Sequence, residues 1–172
     1  MHDPAAIGEL QRLRGTGGRG PTPGAIMSHD IACRCFGTAQ LVHDRSVTAL
    51  IAVVSNIREP LPTYDEWVAI LPDWLVAACG PEMSKEEASE WLRRWQAADD
   101  DERWEIRKTS RWRVTGWVSW FKPEDRNWYW RAGLVENPNQ YRVTVDLLSW
   151  PFAWDALRWL LEVSGAQEVF EG

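Results

Sequence analysis

Tryptophan is the feature that most constrains how this chain can fold. The sequence has 13 tryptophans among 172 residues, and a single short stretch contains Trp112, Trp117, Trp120, Trp128 and Trp130. A buried tryptophan removes about 150–250 Å² from water, which is worth roughly 4–6 kcal/mol before entropy is counted. Leaving this surface exposed would favour aggregation. The chain is long enough for one domain with a core, so most of these indoles are expected to be buried.

Apolar runs and turn signals predict a sheet in the second half of the chain. We expect strands at about 112–121, 127–135 and 140–148, separated by KPEDR and ENPN turns. Such short connections favour antiparallel neighbours. A run rich in β-branched residues at 47–56 predicts a further buried strand, and 31–42 predicts a short strand or hairpin.

Alternation along these strands separates a core face from a polar face. The register that the turns favour places Trp120 opposite Trp128, and Trp130 opposite Val145. The residues assigned to the core face are Trp112, Val114, Val118, Trp120, Trp128, Trp130, Ala132, Leu134, Tyr141, Val143, Val145 and Leu147.

Helices are predicted from the capping residues at their ends. Thr63 with Glu66, and Ser84 with Glu87, have the spacing of capping boxes. Behind the second box, apolar residues recur at helical spacing and predict a buried stripe that includes Trp91 and Trp95. A last helix is expected between Ser149 and Gly165, and it adds Trp159 to the core. Its sheet-facing residues are predicted to be Ala153, Ala156, Leu157, Leu160, Leu161 and Ser164.

Together these patterns predict the α+β class. We expect an antiparallel β-meander of three to five strands, packed on one face by helices, with a C-terminal helix after the meander. Residues 1–29 are predicted to be a flexible Gly/Pro-rich N-terminal segment, since RGTGGRGPTPG buries little apolar surface. Residues 30–172 are predicted to form a single α+β domain.

Charge and cysteine content restrict the partners and the compartment. The formal net charge is −6, whereas nucleic-acid binding requires a basic face. No stretch approaches the roughly 18 apolar residues that span a membrane, and the N-terminus lacks a secretion signal. Three cysteines do not indicate a disulfide scaffold. The sequence therefore predicts an acidic cytoplasmic protein that binds neither nucleic acid nor membrane.

Common catalytic patterns are missing from the sequence. The histidines are His2, His29 and His43, which leaves the later part of the chain without a histidine-based triad or zinc site. No phosphate loop or dinucleotide fingerprint occurs, so no cofactor and no metal are predicted. The acidic ADDDE stretch is interpreted as a solvated turn. A carboxylate-dependent enzyme remains an alternative.

The polar face of the predicted sheet is the candidate site. It combines aromatic and basic side chains, with Trp117 expected directly opposite Arg131. Such a face could bind an anionic or planar ligand, a sugar or an acidic loop of a partner, or it could be a solvent-exposed surface with a cation–π pair. The candidate ligand- or partner-binding residues are Trp117, Tyr129, Arg131, Arg142 and Asp146.

Function is predicted mainly by exclusion. Small size, acidic charge and missing catalytic groups favour a non-enzymatic protein–protein interaction module, such as an inhibitor or immunity-type binder. The alternative from another class is a small-ligand or carbohydrate-binding module that uses the aromatic and arginine residues of the sheet face.

Overall fold

The computed structural model describes residues 4–18 and 20–172. Within them, no helix is both long enough and apolar enough to cross a membrane. The elements in chain order are α1 (Pro4–Leu13), β1 (Met27–Arg34), α2 (Ala39–Asn56), α3 (Tyr64–Ile70), α4 (Asp73–Ala78), α5 (Lys85–Ala97), α6 (Asp100–Thr109), α7 (Val114–Ser119), β2 (Trp128–Asn137), β3 (Gln140–Leu147), α8 (Asp155–Ser164) and β4 (Glu168–Glu171).

The strands form one antiparallel sheet in the order β2-β3-β1-β4. β2 and β3 make the predicted hairpin, whereas the other two strands come from distant parts of the chain. Helices cover the face that carries the core residues of β3. The predicted α+β class is therefore confirmed, although the sheet is built from different strands than expected.

Residues 47–56 belong to helix α2, so the prediction of a strand there is wrong. The buried residues of this helix recur at helical spacing on both sides of the HDRS sequence, which was interpreted as a turn. A short apolar run fits a strand and a buried helix equally well when it is considered alone. The buried set is Ala39, Val42, Ser46, Ala49, Leu50, Val53 and Val54.

The predicted strand at 112–121 is also wrong, because its centre forms helix α7. The apolar residues that it buries follow the i, i+3, i+4, i+7 spacing of a helix. Alternation had instead grouped Trp112 with Trp120, and Trp120 is 41% exposed. Trp112 is partly buried against the core. The buried residues are Val114, Trp117, Val118 and Phe121.

The predicted register of the β2–β3 hairpin is confirmed in the half that contains Trp128 and Trp130. Trp130 lies opposite Val145, as predicted, and Trp128 lies opposite Leu147. Trp128 and Trp130 are both buried, as are the predicted core residues of β3. Strand alternation therefore predicted the buried face correctly for Trp128 and Trp130.

A β-bulge changes the outer half of β2. The register passes from Trp130 opposite Val145 directly to Ala132 opposite Thr144, so Arg131 is the extra residue of the bulge. An extra residue shifts the alternation of a strand by one position, which exchanges its two faces. Ala132 and Leu134 were predicted to face the core, but Leu134 is 54% exposed. That prediction is wrong because of the bulge.

Gly133 follows the bulge at a position where neighbouring side chains leave no room for a Cβ atom. A Cβ at this position would lie 2.5 Å from Tyr141 Oη and 2.8 Å from the Trp130 ring. The Tyr141 hydroxyl instead lies 3.2 Å from His43 Nδ1 of α2. The absence of a side chain therefore lets a partly buried polar contact form between the sheet and α2.

Local signals predicted the helix ends well. The Thr63–Glu66 and Ser84–Glu87 capping boxes are both present. A third box joins Asp99 to Glu102 at the start of α6, where the sequence analysis expected only an acidic turn. Helix α8 begins at Asp155, later than expected, and ends before Gly165. Of its predicted sheet-facing residues, Ala156, Leu157, Leu160, Leu161 and Ser164 are buried, whereas Ala153 lies before the helix and is half-buried.

The N-terminal segment, predicted to be flexible over residues 1–29, carries helix α1 and the beginning of β1. Glu9 of α1 has no exposed surface. Its Oε2 accepts a 2.8 Å hydrogen bond from Arg126 Nη1, and its Oε1 is paired with Nη2. The Arg126 guanidinium lies 4.3 Å from the centre of the Trp128 ring. A buried ion pair therefore fixes α1 to the domain.

Helix α1 also covers the edge of the sheet. β2 is an edge strand, and the backbone N–H of Trp130 donates to Glu9 Oε1 at 2.7 Å. The carbonyl of the same residue accepts from Arg12 Nε at 2.9 Å. Two side chains one helical turn apart thus satisfy backbone groups that a further strand would otherwise pair.

We predict that Glu9→Gln destabilises the domain strongly. The change keeps the shape of the side chain but leaves Arg126 charged and buried without a counter-ion, which should cost about 3 kcal/mol. Urea unfolding measures this loss. Glu105→Gln is the matched control, because its ion pair with Lys108 is exposed and should be worth under about 0.5 kcal/mol. Equal stabilities of the two variants would contradict the prediction.

We predict that replacing Trp130 by alanine lowers stability much more than replacing Trp120, although the two lie close together in the sequence. Trp130→Ala removes a buried side chain and should cost about 3–5 kcal/mol. Trp120→Ala alters an exposed ring and should cost less than about 1 kcal/mol. Chemical denaturation of both variants tests the assignment. A loss below 1 kcal/mol for Trp130→Ala would show that its face of the sheet is wrongly placed.

Candidate functional site

The structure separates the five residues that the sequence analysis grouped into one site. Trp117 lies in α7, not on the sheet, and it is fully buried. Its Nε1 donates a 3.0 Å hydrogen bond to the carbonyl of Ala156. The prediction that Trp117 stands opposite Arg131 is wrong, because the predicted strand that carried it is a helix.

Arg131 and Asp146 do come together on the outer face of the sheet. Arg131 Nη1 lies 3.3 Å from Asp146 Oδ1. The buried Asp146 carboxylate also accepts hydrogen bonds from the Thr22 backbone N–H at 2.7 Å and from Ser28 Oγ at 2.9 Å. These contacts engage the carboxylate within the chain, so Asp146 anchors the segment before β1 to the sheet.

Tyr129 and Arg142 occupy different surroundings. Tyr129 is opposite Asp146 in the register, but it is buried and its ring lies 4.8 Å from Arg126 Cζ. Arg142 is paired with Glu136 and lies 3.6 Å from an Asp30 oxygen. The outer face is therefore crossed by ion pairs of its own side chains, and a ligand site there stays a prediction.

A different surface is formed by the segment between Gly80 and Trp112. The ends of this segment meet, since the Gly80 N–H donates to the Trp112 carbonyl at 2.8 Å. Beside this contact, Arg113 Nε donates to the Pro81 carbonyl at 3.0 Å. Glu82 accepts from the Thr115 backbone N–H at the start of α7. Helices α5 and α6, here called the α5–α6 pair, are held between these tied ends.

The α5–α6 pair contributes almost nothing to the core. α5 has no buried residue, although its stripe was predicted to be core. Trp104 of α6 is 59% exposed and Leu92 of α5 is 49% exposed. The helical spacing correctly indicated one apolar face, but spacing does not say what covers that face. Assigning Trp91 and Trp95 to the core was wrong for this reason.

The tryptophans of α5 pack on each other. The rings of Trp91 and Trp95 are stacked, with centres 5.5 Å apart and planes at 10°. Arg103 of α6 donates from Nε to the Trp95 carbonyl at 3.2 Å, and its guanidinium lies 5.8 Å from the Trp95 ring. Local contacts of this kind hold α6 against the end of α5.

A groove of about 500 Å³ runs beside α5 at the base of the pair. Its sides are the preceding linker and the first turns of the helix. Carboxylates, one indole and an arginine share this surface. Among the lining residues are Met83, Glu86, Glu87, Glu90, Trp91 and Arg113.

A faint sequence signal for this surface existed. α6 is strongly polar, and the apolar residues of its sequence DDERWEIRKT are Trp104 and Ile106. Residues two positions apart lie on different sides of a helix, so α6 has no continuous apolar face for a core. Trp104 in that context indicates an aromatic ring left at the surface, a signal that the strand and helix patterns above do not use.

The thiols of the chain are unsuited to nucleophilic chemistry. All three cysteines are free, and two of them are buried. Burial raises the pKa of Cys33 to about 12 and that of Cys79 to about 11. Among the described residues, no three histidine, cysteine or acidic side chains come together as a metal site would require.

Comparison with protein-family models, curated proteins and solved structures found no significant match for this chain.

We predict slow thiol modification in the folded protein. With a pKa near 12, the thiolate fraction of Cys33 at pH 8 is about 10⁻⁴. Reaction with a thiol reagent at pH 8 should therefore be much slower than in denaturant, where all the cysteines should react. Absorbance of the released chromophore measures both rates. A fast native phase involving Cys33 would show that its burial is wrongly described.

Proposed function

We propose that this protein is a cytoplasmic, non-enzymatic protein-binding module, of the inhibitor or immunity type, and that the α5–α6 pair is its binding surface. The observation that carries the proposal is that Trp104 and Leu92 are exposed, and Trp91 and Trp95 only half-buried, on two helices of which no described residue is buried. Large apolar side chains grouped at a surface are typical of interaction sites.

The residue types support the same conclusion. Tryptophan and arginine are over-represented among the residues that dominate the binding energy of protein interfaces. The α5–α6 pair combines exposed Trp104 and Leu92 with Arg94 at the adjoining groove. Its tied ends also reduce the entropy that binding would otherwise cost, because the helices are already formed.

The remaining features agree with a cytoplasmic binder. Free, buried cysteines with raised pKa values suit a reducing compartment and offer no reactive thiolate. The net charge of −6 favours a partner with basic character.

We predict that the Leu92→Ala, Trp104→Ala double variant loses its partner. Truncating a true hot-spot residue costs about 2 kcal/mol, or roughly 30-fold in affinity. Affinity purification from the source cells followed by quantitative mass spectrometry compares the proteins retained by the wild type and by the variant. Circular dichroism and thermal melts establish that the variant is folded.

Trp150→Ala is the matched control for this experiment. Trp150 is 55% exposed, close to the 59% of Trp104, but it lies outside the α5–α6 pair. The control should retain the partner that the double variant loses. Retention of the same proteins by wild type, control and double variant would show that the α5–α6 pair is not the binding surface.

A further inference from the structure

We propose that this protein forms a two-fold dimer in which Phe36 of each copy inserts into the groove between α1 and α2 of the other copy. The inference goes beyond the proposed function, because its surface is built from residues outside the α5–α6 pair and its occupant is a second copy of this chain. It is carried by a strained, exposed turn, by an apolar groove at the opposite end of α2, and by the solvent-facing side of that helix between them.

Phe36 lies in a tight turn between β1 and α2 that disfavours its side chain. The Thr38 N–H donates to the Cys35 carbonyl at 2.9 Å, and the two central residues, Phe36 and Gly37, have φ values of 39° and 92°. Two positive φ values are the mark of a type I′ turn, in which Asn-Gly and Asp-Gly are the preferred pairs. Phenylalanine is strained in this conformation because its Cβ approaches the backbone, and it has no polar atom that could offset the strain with a local hydrogen bond.

The strain at Phe36 brings no packing within the chain. Phe36 is 65% exposed, which is the largest exposed fraction of any large hydrophobic side chain among the described residues. A Cβ added at Gly37 would meet no atom within 4 Å, so the tip of the turn is open. The turn is nevertheless held in place, since the Cys35 N–H donates to the Asn139 carbonyl at 2.8 Å. Strained residues that the surrounding structure fixes in this way are concentrated at functional sites.

An apolar groove lies at the other end of α2, where the last turn of this helix meets α1. Its volume of about 310 Å³ leaves room for an aromatic ring. Ile7 of α1 is 45% exposed there, and Arg14 donates from Nη2 to Ser55 Oγ at 3.2 Å. The Arg14 guanidinium suits the face of an aromatic ring. The residues that line the groove include Ala6, Ile7, Leu10, Arg14, Val54 and Ser55.

Phe36 and the groove are placed for a reciprocal contact. α2 has 18 residues and is therefore about 27 Å long, with Phe36 before its first turn and the groove beside its last. Two copies whose α2 helices run antiparallel about a two-fold axis bring each Phe36 to the groove of the other copy, which is a closed, isologous contact. One side of α2 is free for this approach, because its exposed and half-buried residues recur at helical spacing. These residues are Leu41, Asp44, Thr48 and Ser55.

The apolar area supports a weak dimer. A phenylalanine that is 65% exposed can bury about 100–160 Å². Two rings and the groove surfaces that they cover account for about 400–600 Å², roughly half of the 1,000–1,200 Å² at which specific interfaces begin. The antiparallel α2 helices supply the remainder, with exposed Leu41 of each copy near half-buried Ile51 of the other. The net charge of −6 opposes association of two copies, so added salt should strengthen the dimer.

The test is sedimentation velocity of the full chain from about 5 to about 500 µM, in low salt and in about 0.15 M salt. The wild type should change from monomer toward dimer as its concentration rises, and at lower concentration in the higher salt. Phe36→Asn should weaken dimerisation by about 30-fold or more, because it removes the inserted ring. The same variant should melt about 2 °C or more above the wild type where both are monomeric, because asparagine adopts a positive φ with less strain.

A mixing experiment tests which surfaces meet. Ile7→Glu places a charge in the groove and should also prevent dimerisation of that variant alone. In a mixture of the two variants, Phe36 of the Ile7→Glu copy meets the intact groove of the Phe36→Asn copy, and one of the two contacts is restored. The mixture should therefore associate at least about threefold more tightly than either variant alone. Phe36→Asn decides the question by itself if circular dichroism shows that Ile7→Glu is unfolded.

Leu92→Ala, Trp104→Ala is the matched control, because it removes exposed apolar side chains outside this surface and should dimerise like the wild type. A wild type that stays monomeric at every concentration, unchanged dimerisation of Phe36→Asn, or no recovery in a mixture of folded variants would overturn the inference. Partner capture that depends on Phe36 while the wild type stays monomeric would also overturn it and assign the turn to another protein. None of these results bears on the proposed function, which depends on partner capture by the α5–α6 pair.

Discussion

An ion pair inside the domain, between Glu9 and Arg126, determines how the start of the chain is joined to the sheet. Burying both charges is costly, and the cost is offset only where further bonds satisfy the remaining donors and acceptors. Here Glu9 also accepts from the Trp130 backbone and Arg126 lies against the Trp128 ring, while the buried Arg126 Nε has no hydrogen-bond partner among the described residues. The pair therefore joins α1, the turn before β2 and the edge strand in a single network. Without it, the outer edge of β2 would present unpaired backbone groups to other chains.

The parts of the fold that local chemistry determines were predictable from the sequence. Capping boxes, the buried face of α8 and the inner register of the β2–β3 hairpin depend on residues close together in the chain, and all three are confirmed. The ion pair of α1 was not predictable, because it joins residues 117 positions apart. Helices α2 and α7 were missed for another reason: over a short window, a buried helix and a buried strand can share one apolar pattern. The bulge at Arg131 also exchanged the two faces of β2 after Trp130, and no residue type in the sequence predicts a bulge there.

The candidate site was harder to predict than the fold, since a tryptophan has the same identity in a core and on a surface. Trp117 and Trp91 carry equal apolar area, yet one lies at the centre of the domain and the other beside an open groove. The difference comes from what each helix packs against, which depends on contacts distant in sequence. Alternation had placed Trp117 beside Arg131, and the helical conformation of α7 moved it to the helix layer. Only the polar composition of α6 hinted that its neighbourhood lacked a core to join.

The closure between Gly80 and Trp112 has a consequence for how this protein can diversify. The two ends of the segment meet in a backbone hydrogen bond. The α5–α6 pair is therefore joined to the rest of the domain mainly at this closure. The entropy of closing such a segment changes slowly with its length. Insertions, deletions and wholesale exchange of the two helices can therefore accumulate there while the sheet and its helix layer keep their geometry. Under the proposed function, the residues that would bind a partner differ from those that form the core, so descendants of one ancestral scaffold could acquire different partners without changes to the core.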